Sequence, residues 1–208
     1  MSAGTGRYLA VAGNMGAGKS TLVDFLKVRF GVTPFFEPND QNPYLADFYR
    51  DMPRWAFQSQ LYFLQKKFAL HQELEKLPGL VVQDRTIYED AEVFCENLYR
   101  SKVLDARDYR TYRELYETIR GNLRAPDLLI YLKCSVRTVR KRIALRGRAE
   151  ETSVQVEYVK RLNRLYDAWF ERYDLSPTLV IETDRLDYIQ DMLHRIDLME
   201  TIGAHITS

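Results

Sequence analysis

The stretch Tyr8-Leu9-Ala10-Val11-Ala12-Gly13-Asn14-Met15-Gly16-Ala17-Gly18-Lys19-Ser20-Thr21 joins an apolar run to a glycine-rich turn and then to the start of a helical pattern. From Gly13 to Ser20 it fits G-x-x-x-x-G-K-[ST] at every position, after a strand and at the opening of a helix, the context that motif requires. Glycines let the backbone wrap closely round phosphate oxygens and turn N–H groups inward. The helix N-terminus adds a positive dipole end. Lys19 is placed to reach the terminal phosphates and Ser20 to hold Mg²⁺. The alternative is a chance glycine-rich turn, which the full match and its flanks disfavour. The motif implies a bound nucleoside triphosphate without saying what becomes of it.

Working outward, further short apolar runs at residues 32–36, 80–82, 128–132 and 178–181 alternate with helical patterns at 20–30, 43–77, 88–122, 136–146, 157–173 and 188–199. The 43–77 pattern is broken near Pro53, and 88–122 divides near 102–106. Continuous apolar strands alternating with longer helices predict an α/β fold: a five-stranded parallel sheet with helices on both faces, a three-layer nucleotide-binding architecture. The chain of 208 residues is expected to form one domain, with a core over about 8–199 and a lid over about 142–156. In such sheets ligands collect beyond the carboxyl ends of the strands.

Composition narrows the classes. Hydrophobic residues make up 46% and charged residues 28%, enough apolar surface for a packed core and too much for disorder. Thirty basic against 29 acidic residues leave a net charge of +1, against a general nucleic-acid binder. Cys95 and Cys134 are too few for a disulfide framework, so a reducing cytoplasm is expected. No apolar run approaches the roughly 20 residues that span a bilayer, and the short polar stretch before Tyr8 does not read as a signal peptide.

The strand ends supply the chemistry. Asp84, after the third apolar run, suits the Mg²⁺, directly or through water; capping the next helix is the alternative. Glu37 follows the second. A facing carboxylate repels a phosphate acceptor but accepts the proton of a hydroxyl, which favours an alcohol as acceptor; a surface glutamate beside Pro38 is the alternative. A GTPase switch is disfavoured, because no glycine has Asp three residues before it and Asn-Lys never occurs. Between 133 and 149 lie Lys133, Arg137, Arg140, Lys141, Arg142, Arg146 and Arg148 without one acid. Val136, Val139 and Ile143 give that helix a core-facing stripe, and Gly147 interrupts it. Arg142, Arg146 and Arg148 are the candidates for neutralising transition-state charge; the others read as a solvated face.

Five segments together, GNMGAGKST, FFEP, RWAFQSQ, QDRTIYED and RIALRGRAEE, resemble the deoxyribonucleoside kinase family over about residues 8–199. The resemblance is nearest to the bacterial branch acting on deoxyadenosine, deoxyguanosine or deoxycytidine. It implies ATP–Mg²⁺ at Gly13, Asn14, Met15, Gly16, Ala17, Gly18, Lys19, Ser20 and Thr21, with Ser20 and Asp84 at the metal. It makes Glu37 the base for the 5′-hydroxyl, and Arg85 the contact to the 5′-oxygen and the transferring phosphate. Gln60, Asp90, Phe94 and Trp55 would form the base pocket, Tyr49 and Glu151 would hold the 3′-hydroxyl, and Arg142, Arg146 and Arg148 would be lid arginines. Thr86 stands where serine is usual, and Lys67 where an arginine often pairs with the acid at Asp90, which leaves base preference open. The loop 183–187 resembles the one over the donor adenine. The resemblance also implies a homodimer, with surface available on the 43–77 and 88–122 helices. Two rival functions are a nucleoside monophosphate kinase of thymidylate-kinase type and a nucleotide-binding regulatory module without phosphotransfer.

Overall fold

A computed structural model of the chain describes residues 6–36, 41–147, 155–186 and 191–207. The strands are β1 (Arg7–Ala12), β2 (Thr33–Phe35), β3 (Leu80–Asp84), β4 (Leu128–Lys133) and β5 (Thr178–Glu182). Helices are α1 (Lys19–Phe30), α2 (Leu45–Arg50), α3 (Met52–Leu74), α4 (Ile87–Glu89), α5 (Glu96–Arg100), α6 (Ala106–Arg120), α7 (Val136–Arg146), α8 (Val156–Phe170) and α9 (Met192–Thr207). A π-helical turn, Asp90–Cys95, joins α4 to α5. The sheet is parallel throughout, in the order β2-β3-β1-β4-β5.

Alternation along β1 explains both layers. Tyr8, Ala10 and Ala12 face one core with Leu64, Tyr112, Leu162 and Tyr166. Leu9 and Val11 face the other, with Leu22, Leu26, Val139 and Ile202. All five residues from Tyr8 to Ala12 are fully buried, the reason this central strand reads as an unbroken apolar run rather than an alternating one. Side chains cap the helices locally. Asp51 accepts the Arg54 N–H ahead of α3, Asp105 the Arg107 and Asp108 N–H groups ahead of α6, and Ser135 the Thr138 N–H ahead of α7. Gly31 and Gly147 close α1 and α7 in the left-handed conformation, φ 65° in each.

The helix break expected near Pro53 falls at Asp51 instead. Pro53 lies in the first turn of α3, where its missing N–H has no intrahelical acceptor to lose. The second strand stops at Phe35, one residue short of the apolar run, and the last described helix begins at Met192 and continues to Thr207. Nothing in the apolar spacing announced the π-helical turn. Among the described residues no helix is long and apolar enough to cross a membrane.

Leu26 is buried between α1 and the sheet. Leu26→Ala should lower unfolding stability by about 2–5 kcal/mol. Urea denaturation with an unchanged m-value checks this, and a loss below about 1 kcal/mol would mean the layer repacks round the gap.

Candidate active site

The register of β1 on β3 sets Val11 beside Asp84, so the glycine-rich loop leaving β1 and the residues leaving β3 emerge side by side. Two glycines are required by close approach. A Cβ on Gly13 would stand 2.8 Å from the Leu132 carbonyl, and one on Gly16 3.1 Å from that of Val139. Gly13, Gly16 and Gly18 also adopt positive φ angles of 146°, 71° and 104°. Inside the loop, Lys19 Nζ donates to the carbonyls of Gly13 (2.9 Å) and Asn14 (3.1 Å) and is only 7% exposed. Asn14 Nδ2 donates to Asn163 Oδ1 on α8 at 2.7 Å, and Asn163 Nδ2 donates to the Cys134 carbonyl at 2.9 Å. Met15 packs between the two core layers.

Ser20 Oγ donates to Asp84 Oδ2 at 2.5 Å, while Asp84 Oδ1 is buried without a hydrogen-bond partner. A hydroxyl and a carboxylate are hard oxygen donors. With an oxygen of the carboxylate still open, the pair fits Mg²⁺, which takes few protein ligands and completes its shell with phosphate oxygens and water. Among the described residues no group of three or more His, Cys, Asp or Glu side chains is placed to hold a metal.

Arg85 has φ 62°, a left-handed conformation costing an L-residue about 1–2 kcal/mol. Its N–H bonds the Val11 carbonyl at 3.0 Å, and its guanidinium lies 4.5 Å from the centre of the Phe94 ring. The next residues form a reciprocal cap: the Thr86 N–H and hydroxyl donate to Glu89 Oε2 at 2.8 and 3.3 Å. Glu89 Oε1 accepts the Gly13 N–H at 3.2 Å and the Tyr166 hydroxyl at 3.0 Å. Glu89 is wholly buried. Burial raises its carboxyl above the usual range, opposed by Arg85, Lys19, the Thr86 N–H and Lys67.

On α3, Gln60 and Lys67 are two turns apart and share a face. Lys67 Nζ donates to Asp90 Oδ1 at 2.7 Å and to the Thr86 carbonyl at 3.5 Å, in a pair almost sealed from solvent. Gln60 Oε1 is buried and has no hydrogen-bond partner. Phe94 meets Tyr166 edge-on at 6.2 Å. Trp55 is half-buried, stacked on Tyr44 at 5.8 Å with the Arg54 guanidinium 5.1 Å from its ring centre. Tyr49 is half-buried against Phe48. The π-helical turn carries both Asp90 and Phe94.

Arg142 braces rather than projects. It donates to the carbonyls of Ala17 (3.0 Å), Thr183 (2.8 Å) and Leu186 (3.4 Å) and to Thr183 Oγ1 (3.1 Å), tying the phosphate loop to the loop after β5. Arg146, one turn on, is exposed, as are Lys133, Arg137, Arg140 and Lys141. Glu37, Arg148, Glu151 and Asp187 lie outside the described residues. His71 is a satisfied core residue, bonded to Glu75 at 3.0 Å and edge-on to Tyr8. Cys95 and Cys134 are both buried, and burial raises both thiols.

The structure thus brings Lys19, Ser20, Asp84, Arg85 and Phe94 together at the carboxyl ends of β1 and β3, and the Lys67–Asp90 pair reaches the same segment through the Thr86 carbonyl. Sequence reading missed Glu89, Asn163 and Tyr166. Only Glu89 left a signal, the T-x-x-E spacing from Thr86 that marks a capping box.

Comparison with known proteins identifies the family. The family model described as "Deoxynucleoside kinase" matches residues 9–207. The chain is 35% identical to the deoxyadenosine/deoxycytidine kinase of Bacillus subtilis, over 95% of this chain and 92% of that protein. It is 37% identical to the deoxyguanosine kinase of Lactobacillus acidophilus, over 93% and 88%. The structure of deoxyadenosine kinase from M. mycoides with bound dATP superposes with a TM-score of 0.84 at 30% identity, covering 95% of this chain and 99% of that one. Loop, strand ends and whole-length similarity point the same way, and the chain belongs to the deoxynucleoside kinase family.

Proposed function

We propose that this deoxynucleoside kinase transfers the γ-phosphoryl group of ATP to the 5′-hydroxyl of a purine deoxynucleoside or deoxycytidine, a nucleotide-salvage reaction, with Glu37 as the base. The supporting observation is the juxtaposition of the strand ends. Because Val11 lies beside Asp84 in the sheet, the phosphate loop, the Ser20–Asp84 pair and Arg85 emerge side by side from the strand ends.

In this reading the loop from Gly13 to Thr21 holds the triphosphate, and the Lys19 ammonium lies against its terminal phosphates. Ser20 and Asp84 would hold Mg²⁺, which when bound neutralises charge on the phosphate oxygens. Glu37, two residues beyond β2, takes the 5′-hydroxyl proton as that oxygen bonds to the γ-phosphorus. The bond from the γ-phosphorus to the β,γ-bridging oxygen breaks, and ADP leaves. Arg85, held over Phe94, meets the 5′-oxygen and the phosphoryl group in flight, and Arg142, Arg146 and Arg148 add positive charge from the lid side. Gln60 reads a base edge with its amide, flanked by Phe94 and Trp55 and backed by Lys67–Asp90, while Tyr49 and Glu151 bind the 3′-hydroxyl. The free buried cysteines suit a reducing cytoplasm, and the family resemblance supports a homodimer, which light scattering after gel filtration would read.

Three outcomes are expected. Glu37→Gln should lower kcat about 10²–10⁴-fold while deoxynucleoside affinity by calorimetry stays within about threefold. Unchanged turnover removes Glu37 from the mechanism. Asp84→Asn should raise the Mg²⁺ concentration giving half-maximal rate by about tenfold or more. The same Mg²⁺ response as wild type would take Asp84 from the metal. Lys67→Met breaks a buried ion pair and should cost about 3–5 kcal/mol of unfolding stability, read by denaturant titration.

A further inference from the structure

Among the described residues Glu89 is a fully buried carboxylate whose partners belong to the phosphate loop, to the turn after β3 and to α8. Its Oε2 is bonded by the N–H and hydroxyl of Thr86, the residue that follows the left-handed Arg85. Its Oε1 is bonded by the first N–H of the phosphate loop and by Tyr166 of α8. These four contacts on the carboxylate are all donors, from three elements far apart in sequence. The side chain amide of glutamine has the same shape but only one accepting atom, so it cannot receive all these donors. The strained backbone at Arg85 is flanked by the bond from its N–H to the Val11 carbonyl on one side and by the Thr86–Glu89 cap on the other. The Gly13 N–H, turned towards Glu89, fixes where the loop leaves β1 and hence where the amides after it point.

We propose that Glu89 is a positioning residue for phosphoryl transfer. It holds the Arg85 turn and the entry of the phosphate loop in a fixed mutual geometry, so that arginine and loop meet the same phosphoryl group. Glu89 touches neither substrate. The inference rests on the role given above to Arg85, and its test separates the two.

The test is a double-mutant cycle in the full-length enzyme, with turnover normalised to sites counted by tight-binding nucleotide titration. Glu89→Gln should lower kcat about tenfold to a hundredfold, with KM for ATP and for the deoxynucleoside each within about threefold. Arg85→Ala should lose more. Because Glu89 acts through Arg85, the double variant should be no more than about threefold slower than Arg85→Ala alone. A general structural role would instead multiply the two losses. If Glu89→Gln does not accumulate as folded protein, Tyr166→Phe removes one donor to the same oxygen. It should show a smaller loss, again absorbed by Arg85→Ala. Turnover of Glu89→Gln within twofold of wild type, or losses that multiply in the double variant, overturns the inference and leaves the function standing. Full turnover in Arg85→Ala removes the role given to Arg85, and with it the inference.

Discussion

In a parallel sheet the hydrogen bonds between neighbouring strands set how far each strand end projects relative to the next. Here β1 pairs with β3 so that Val11 stands beside Asp84, and the Arg85 N–H continues the ladder one step further onto the Val11 carbonyl. Nearly everything chemical depends on that register. One residue of slippage would turn every inward side chain of β3 to the opposite face, separating Asp84 from Ser20 and removing the acceptor that holds the turn at Arg85. The full burial of β1 on both faces opposes such slippage, because the Tyr8 and Leu9 layers each have a fixed partner set.

From that register the site grows by short connections. Gly13 and Gly16 let the carbonyls of Leu132 and Val139 come within a methyl group's reach of the loop, so β4 and α7 close on it directly. Arg142 on the basic helix α7 and Asn163 on α8 then stitch these two helices to the same loop, one through the Ala17 carbonyl and the other through the Asn14 amide. The face of α3 is joined to the site differently. There a buried ion pair, Lys67–Asp90, links α3 to the π-helical turn.

What the sequence made legible was local. Gly13 to Thr21 are read from one another. Asp84 is found because it follows an apolar run whose carboxyl end is where ligands collect, and Arg85 through the family resemblance of the segment that carries both. The sheet, its parallel sense and the basic helix followed from patterns of a few residues each. Contacts between distant segments were not legible. Glu89 shows its bond to Thr86 in its spacing, but its bonds to Gly13 and Tyr166 span 76 and 77 residues and have no local signature. Arg142 was singled out by charge and spacing, yet charge alone could not show that it donates to carbonyls of the Thr183–Leu186 turn. Pro53 misplaced a boundary because a proline that ends one helix and a proline that begins the next look alike in sequence.

The buried Glu89 side chain also bears on how the loop is held. Burial raises its carboxyl, and Arg85, Lys19 and Lys67 oppose that rise. Its two oxygens meanwhile receive the Gly13 N–H, the Tyr166 hydroxyl and both donors of Thr86. The entry of the loop and the turn at Arg85 are thus anchored from the protein side with no ligand present, and groups fixed in advance leave little reorganisation for the moment of transfer.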